Sequence, residues 1–143
     1  MRYWDSSAIV PLIVGESLSK AAADCLKADA GIITWWVTPV ECVSALARRE
    51  REGHLATAGA MQAIKRLGVL REQWVEVEPS QQVRDLSLRL LRVHPLRAAD
   101  ALQLAAAMVI RDGYGASLSF VCCDDRLQLA AEKEGLDVLR LLA

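Results

Sequence analysis

The sequence predicts an α/β fold, a central parallel sheet flanked by helices in one domain spanning residues 1–143, and three observations predict it. Short apolar runs rich in β-branched and aromatic residues alternate with segments of helical period along the chain. No repeat, low-complexity tract or linker interrupts that alternation. Aspartates stand directly after two of the strand candidates, where a parallel sheet keeps its working edge.

Taken in order, RYWD at residues 2–5 is a short strand candidate. SSAIVPLIVGES reads as a turn and a first short helix, with Pro11 tolerated only near that helix's start. SLSKAAADCLKAD is a helix and GIITWW a buried strand. TPVECVSALARREREG is a helix with marked ends: Thr38 at the N-cap, Pro39 at the first helical position and Gly53 just past the last turn. ATAGAMQAIKRLGVLREQW is a further helix, weakened by Gly59 and Gly68, with Gly68 the place for a break. WVEVEP is a short strand and SQQVRDLSLRLLRV a helix. From Ala98 to Ile110 only Asp100 and Gln103 are polar, so RAADALQLAAAMVI reads as a buried helix that takes Asp100 inside with it. GYGAS is a loop, LSFVCC a strand, DDRLQLAAEKEG a helix closed by Gly135, and LDVLRLL a last strand candidate. Trp4, Trp35 and Trp36 lie in strand candidates and read as core, with Trp74 partly exposed.

Composition removes several classes of function. No apolar run approaches the roughly 18 residues of a membrane span, and an aspartate interrupts what would be the apolar part of a signal peptide, so the chain is expected to be cytoplasmic. Cys25, Cys42, Cys122 and Cys123 show no C-x-x-C spacing, and only His54 and His94 could join them. Buried free thiols are expected rather than a zinc site or a disulfide framework. The net charge of −1 argues against a nucleic-acid binder unless basic groups are gathered locally.

The acids carry the functional signal. Asp5 follows RYW, Asp124 follows LSFVCC, and Glu41 and Asp100 sit in first turns of helices. An acid in such a place has an ordinary structural reading too. Glu41 completes a capping box with Thr38, Asp124 suits an N-cap, Asp5 can close a turn with Ser6 and Ser7, and Asp100 can pair with Arg97. Those readings are independent of one another, whereas a shared site explains all four. Carboxylates converging on one sheet edge repel by about 4 kcal/mol per close pair at an effective dielectric near 20, so a bound cation is expected among them. Oxygen ligands without His or Cys select a hard cation, Mg²⁺ or Mn²⁺. Asp5, Glu41, Asp100 and Asp124 are its candidate ligands.

The ordered set WDSSAIV, TPVECVSALARREREGHL, LRAADALQLAAA and FVCCDDRLQLAAEKEGLDV resembles the PIN-domain ribonucleases, and most closely toxins of the VapC type. The resemblance covers nearly the whole chain, with a weak middle between Leu55 and Leu90. It implies a parallel sheet flanked by helices, a metal site of three or four acids and cleavage of RNA. It further implies a homodimer and neutralisation by a cognate antitoxin. Residue by residue, the family's acids fall on Asp5, Glu41, Asp100 and Asp124, with Asp125 a neighbour that could substitute for the last. Ser7 falls where the family keeps a hydroxyl beside the first aspartate. The chain departs from the pattern at Cys122, where members commonly carry threonine, which weakens the hold on the fourth acid.

RNA binding requires cations near the acids. Arg48 lies seven residues after Glu41 and on the same helical face, with Arg49 and Arg51 adjacent, and Arg97 precedes Asp100 by one turn. Arg48, Arg49 and Arg97 are therefore candidate contacts to RNA or antitoxin; a solvated helix end is the ordinary reading of the first two. A haloacid-dehalogenase-like phosphatase needs D-x-D where this chain has D-S-S. A response-regulator receiver needs an aspartate after a central strand and a late lysine, and a nucleotide-binding module needs a Gly-rich strand-to-helix loop. The sequence supplies none of these. The remaining alternative is a PIN-like domain that binds or assembles without cutting.

Overall fold

The computed structural model describes residues 1–114 and 117–143. Five strands, all parallel, lie in the order β3-β2-β1-β4-β5: β1 (Arg2–Trp4), β2 (Ile32–Trp35), β3 (Val75–Val77), β4 (Ser119–Cys122) and β5 (Asp137–Arg140). Seven helices among the described residues connect them: α1 (Ser6–Ile13), α2 (Ser19–Ala28), α3 (Thr38–Arg51), α4 (Thr57–Arg71), α5 (Gln81–Val93), α6 (Ala98–Tyr114) and α7 (Asp125–Lys133). The expected α/β architecture is the one observed.

Side chains alternate across each strand, and the alternation sorts the core into two layers. Trp4, Ile32 and Val121 face a cluster with Ile9, Ile13, Cys42, Leu46, Ala63 and Leu67 from α1, α3 and α4. Tyr3, Ile33, Trp35 and Phe120 face the opposite cluster, with Val83, Leu90, Leu104, Met108, Leu127 and Ala131 from α5, α6 and α7. The chain thus lays down β1, β2 and β3 outward in one direction and then returns past them to place β4 on the other side of β1. The strand order reverses between β1 and β4. Such a switch point leaves a crevice at the carboxyl ends of the two strands.

Several expectations are corrected. Pro11 lies inside α1, not at its start, and gives up one backbone hydrogen bond in a short helix whose Ala8, Ile9, Val10, Pro11 and Ile13 are all buried. Gly68 does not break α4: the helix runs on to Arg71, held by buried Ala60, Ala63 and Leu67. The residues read as the GYGAS loop divide: Gly113 and Tyr114 extend α6, and positions 115 and 116 lie outside the described residues. Trp36 and Trp74 exchange roles. Trp36 falls one residue beyond β2 and is 51% exposed, whereas Trp74 is 8% exposed within the apolar layer of α1, α3 and α4, with Glu76 accepting its indole N–H at 2.9 Å. Cys25, Cys42 and Cys122 are buried thiols, but Cys123 is only partly covered.

Candidate active site

Each proposed acid begins a helix. Asp5 caps α1, accepting hydrogen bonds from the Ser7 amide at 3.0 Å and from the Ser7 hydroxyl. Asp124 caps α7, accepting from the Leu127 amide at 2.8 Å. Glu41 and Asp100 lie in the first turns of α3 and α6. Four positive helix ends are thereby aimed at one place, which favours anionic groups there.

That place is a cavity of about 920 Å³ lined by Asp5, Glu41, Asp100, Asp124 and Asp125 together with Ser6, Ser7, Arg48, Arg97 and Arg126. β1 and β4 pair with Trp4 beside Val121, and the Asp5 amide donates to the Val121 carbonyl at 3.0 Å, so Asp5 and Asp124 leave the sheet side by side at the switch point. The Ser7 hydroxyl stitches this corner: it donates to Asp5 and accepts from the Cys123 amide at 2.9 Å. Cys122 also contributes, since its sulfur accepts the Asp124 amide at 3.3 Å. Burial, with the Asp5 carboxyl next in weight, raises its pKa and keeps it a thiol. The fourth acid is thus oriented by its own cap and by the thiol at position 122.

Glu41 is held by a different device, and the capping box expected of it does not form. The cap residue of α3 is Val37, whose side chain has no acceptor, and the Thr38 hydroxyl is engaged elsewhere. Thr34 donates to the Trp4 carbonyl at 2.6 Å, so the 2.7 Å contact between the two threonines has Thr38 as donor. Gln103 completes the set. Its Nε2 donates to Thr38 Oγ1 at 2.9 Å and to Glu41 Oε2 at 2.6 Å, while its Oε1 accepts the Tyr3 hydroxyl at 2.7 Å.

The electrostatics follow from burial without counter-charge. Asp5 is only 3% exposed, and burial raises its pKa to about 6 against the lowering effect of Ser7, with Asp100 and Asp124 adding to the rise. Burial likewise raises Glu41 to about 7, opposed by the Gln103 hydrogen bond and reinforced by Asp5. Asp100 is raised by burial and then by Asp124, with the Arg97 amide and the Arg97 and Arg126 guanidinium groups opposing. Among the described residues no lysine, arginine or histidine comes within ion-pair distance of these carboxylates. The alternative reading, in which Asp100 pairs with Arg97, is therefore not the one observed. Asp100 is also half-buried rather than enclosed, since the first turn of α6 is exposed and burial begins at Ala101.

The arginines divide. Arg48 and Arg97 are exposed and line the cavity. Arg49 does not line it; Glu16 binds its guanidinium at 2.7 Å. Arg126 lines the cavity and was not singled out from the sequence, although its place two residues after Asp124 puts it on the same helix start. Gln103 was noticed only as a polar residue in an apolar helix.

The donor set fits a hard divalent cation in kind: carboxylates and hydroxyls with no competing amine. The side chains as placed are not a closed cluster, for among the described residues no three His, Cys, Asp or Glu side chains stand close enough to hold one ion.

No protein-family model matches the chain, and no curated protein matches its sequence. Solved structures do. FitAcB from Neisseria gonorrhoeae is 15% identical with a TM-score of 0.66, the match covering 97% of this chain and 96% of that one. PAE2754 from Pyrobaculum aerophilum is 20% identical with a TM-score of 0.62, over 96% of this chain and 83% of that one. A toxin-antitoxin complex from Klebsiella pneumoniae is 17% identical with a TM-score of 0.59, over 87% of each chain. The fold is the PIN-like α/β arrangement.

Proposed function

We propose that this chain is a Mg²⁺- or Mn²⁺-dependent endoribonuclease acting as the toxin of a toxin–antitoxin pair. The observation that carries the reading is the convergence of Asp5, Glu41, Asp100 and Asp124 from four helix starts on one cavity without a paired cation. Asp5, Asp100 and Asp124 would hold the metal, and Glu41 would support it through water. Bound there, a divalent ion supplies positive charge against the phosphodiester and a water of lowered pKa. The chain's own groups do the rest. Ser7 keeps Asp5 oriented, and Arg48, Arg97 and Arg126 offer guanidinium forks to RNA phosphates across the cavity mouth. The local cations answer the objection raised by a net charge of −1.

The partner reading draws on the fold neighbours, among them a toxin-antitoxin complex. Val40 lines the cavity and is 67% exposed, with Val43 and Trp36 exposed close by in sequence; an antitoxin segment crossing the cavity would cover them. A homodimer belongs to the same reading. Among the described residues no helix is long and apolar enough to cross a membrane.

The test is purified protein with single-stranded and structured RNA, with Mg²⁺ or Mn²⁺ and with chelator, beside expression of the chain alone in bacteria. Metal-dependent cleavage and growth arrest are expected. Cleavage without arrest would retain the nuclease and remove the toxin. The open spacing of the acids favours the second reading, a PIN-like module that binds without cutting, and neither cleavage nor arrest would establish it.

A further inference from the structure

Gln103 is completely buried in an otherwise apolar stretch of α6, and all of its hydrogen-bonding capacity on the amide nitrogen is spent. The bookkeeping of protons leaves one arrangement: Tyr3 donates to Oε1, and the two Nε2 protons go to Thr38 and Glu41. These contacts join β1, α3 and α6 across 100, 65 and 62 residues of sequence. They also join the elements that carry three of the four acids. Asp5 follows Tyr3 by two residues, Glu41 is bonded directly, and Asp100 lies one turn before Gln103 on the same helix. A buried amide is a costly choice for so small a structural gain, because Leu or Met would fill the space without needing three partners.

We infer that Gln103 is a positioning residue that fixes the Glu41 carboxylate and sets the spacing of Asp5, Glu41 and Asp100 for cation binding. The inference rests on the metal-site reading above and concerns a residue that touches neither substrate nor metal. Groups that orient metal-supporting carboxylates are typically worth roughly 10- to 100-fold in metal affinity.

Two measurements test it. The first is Mn²⁺ affinity of wild type, Gln103→Met, Glu41→Ala and the double variant. Gln103→Met should weaken Mn²⁺ about tenfold in the wild-type background and less than about twofold in Glu41→Ala, since its effect passes through Glu41. An equal loss in both backgrounds, or no loss in the first, overturns the inference. Tyr3→Phe, which removes one anchor of the amide and keeps the core volume, serves as the second variant if Gln103→Met does not fold; a loss of Mn²⁺ affinity confined to the Glu41-containing background is again expected.

The second measurement needs no metal: the side-chain amide protons of Gln103 followed by NMR. Slow exchange of both protons is expected, and Glu41→Ala should release one of them while Tyr3→Phe disturbs both. If Glu41→Ala leaves both unchanged, the positioning role is wrong whatever Mn²⁺ does. If wild type binds no Mn²⁺ while the amide responds as expected, the metal-site reading fails and Gln103 still positions Glu41.

Discussion

Two groups of carboxylates in this molecule are treated in opposite ways. Glu134, at the end of α7, is gripped by Arg89 at 2.7 Å and by His94 at 2.6 Å, and the Arg89 hydrogen bond, with His94 and the nearby charges helping, holds its pKa below the usual range. The cavity acids have no such partner, and Asp5, Glu41 and Asp100 are all raised. The chain evidently has the means to pair an acid across elements. Leaving several unpaired at one switch point is therefore informative, because each costs stability that a guanidinium would restore.

The sharpest way to break the comparison is to neutralise one acid from each group. Asp5→Asn should reduce RNA cleavage at least about 1,000-fold, which corresponds to about 4 kcal/mol of transition-state stabilisation, while leaving or raising the metal-free melting temperature. Glu134→Gln should do the reverse, lowering stability by about 1–3 kcal/mol in urea unfolding and leaving Mn²⁺ affinity unchanged. If Asp5→Asn unfolds the protein instead, the cavity acids are structural and the contrast disappears.

Metal supplies the next largest effect. Mn²⁺ at about 100 times its Kd should stabilise the wild type by about 2.7 kcal/mol, visible as a raised melting temperature, and should leave Asp5→Asn nearly unmoved. An unchanged wild-type midpoint at millimolar Mn²⁺ would count heavily against the site.

pH separates the two groups by sign. Asp5 and Glu41 have folded pKa values of about 6 and about 7, above their ordinary 3.8 and 4.5. Their contribution is therefore complete below about pH 4 and lost as pH rises through 6 to 7. Glu134 is lowered from 4.5, so its contribution is present at neutral pH and lost as pH falls below that value. Metal-free wild type should melt lower at pH 7.5 than at pH 5, and Asp5→Asn should flatten that difference. Removing Glu134 should flatten only the acid limb.

The smallest effect belongs to the cavity rim. Arg126→Ala should weaken RNA binding by a cleavage-deficient variant modestly and reduce the slope of log affinity against log salt by about one. Arg49→Ala should leave that slope unchanged, since Glu16 already engages its charge.

Legibility in the sequence followed distance along the chain. Periodicity, caps and strand-to-helix boundaries are local, and they disclosed every strand and the order of the helices. Acids placed at those boundaries were visible for the same reason, and all four line one cavity. What escaped was decided by partners far away. Thr38 reads as a cap until Thr34 and Gln103 claim its hydroxyl, and Arg49 reads as free until Glu16, 33 residues away, binds it. Trp74 reads as partly exposed, yet it packs in the core among residues distant in sequence. Cys122 reads as a loss, yet its sulfur accepts the amide of the acid it was thought to release.

The return of the chain past β1 to lay down β4 also governs when the acidic site can exist during synthesis. A ribosome delivers Asp5 and Glu41 early, but the crevice has no second wall until residues 119–122 have emerged and paired with β1. Parallel pairing over more than 100 residues is slow relative to local helix formation. A nascent chain therefore carries Asp5 and Glu41, and later Asp100, without the fourth acid, and the four meet only once β4 has paired with β1.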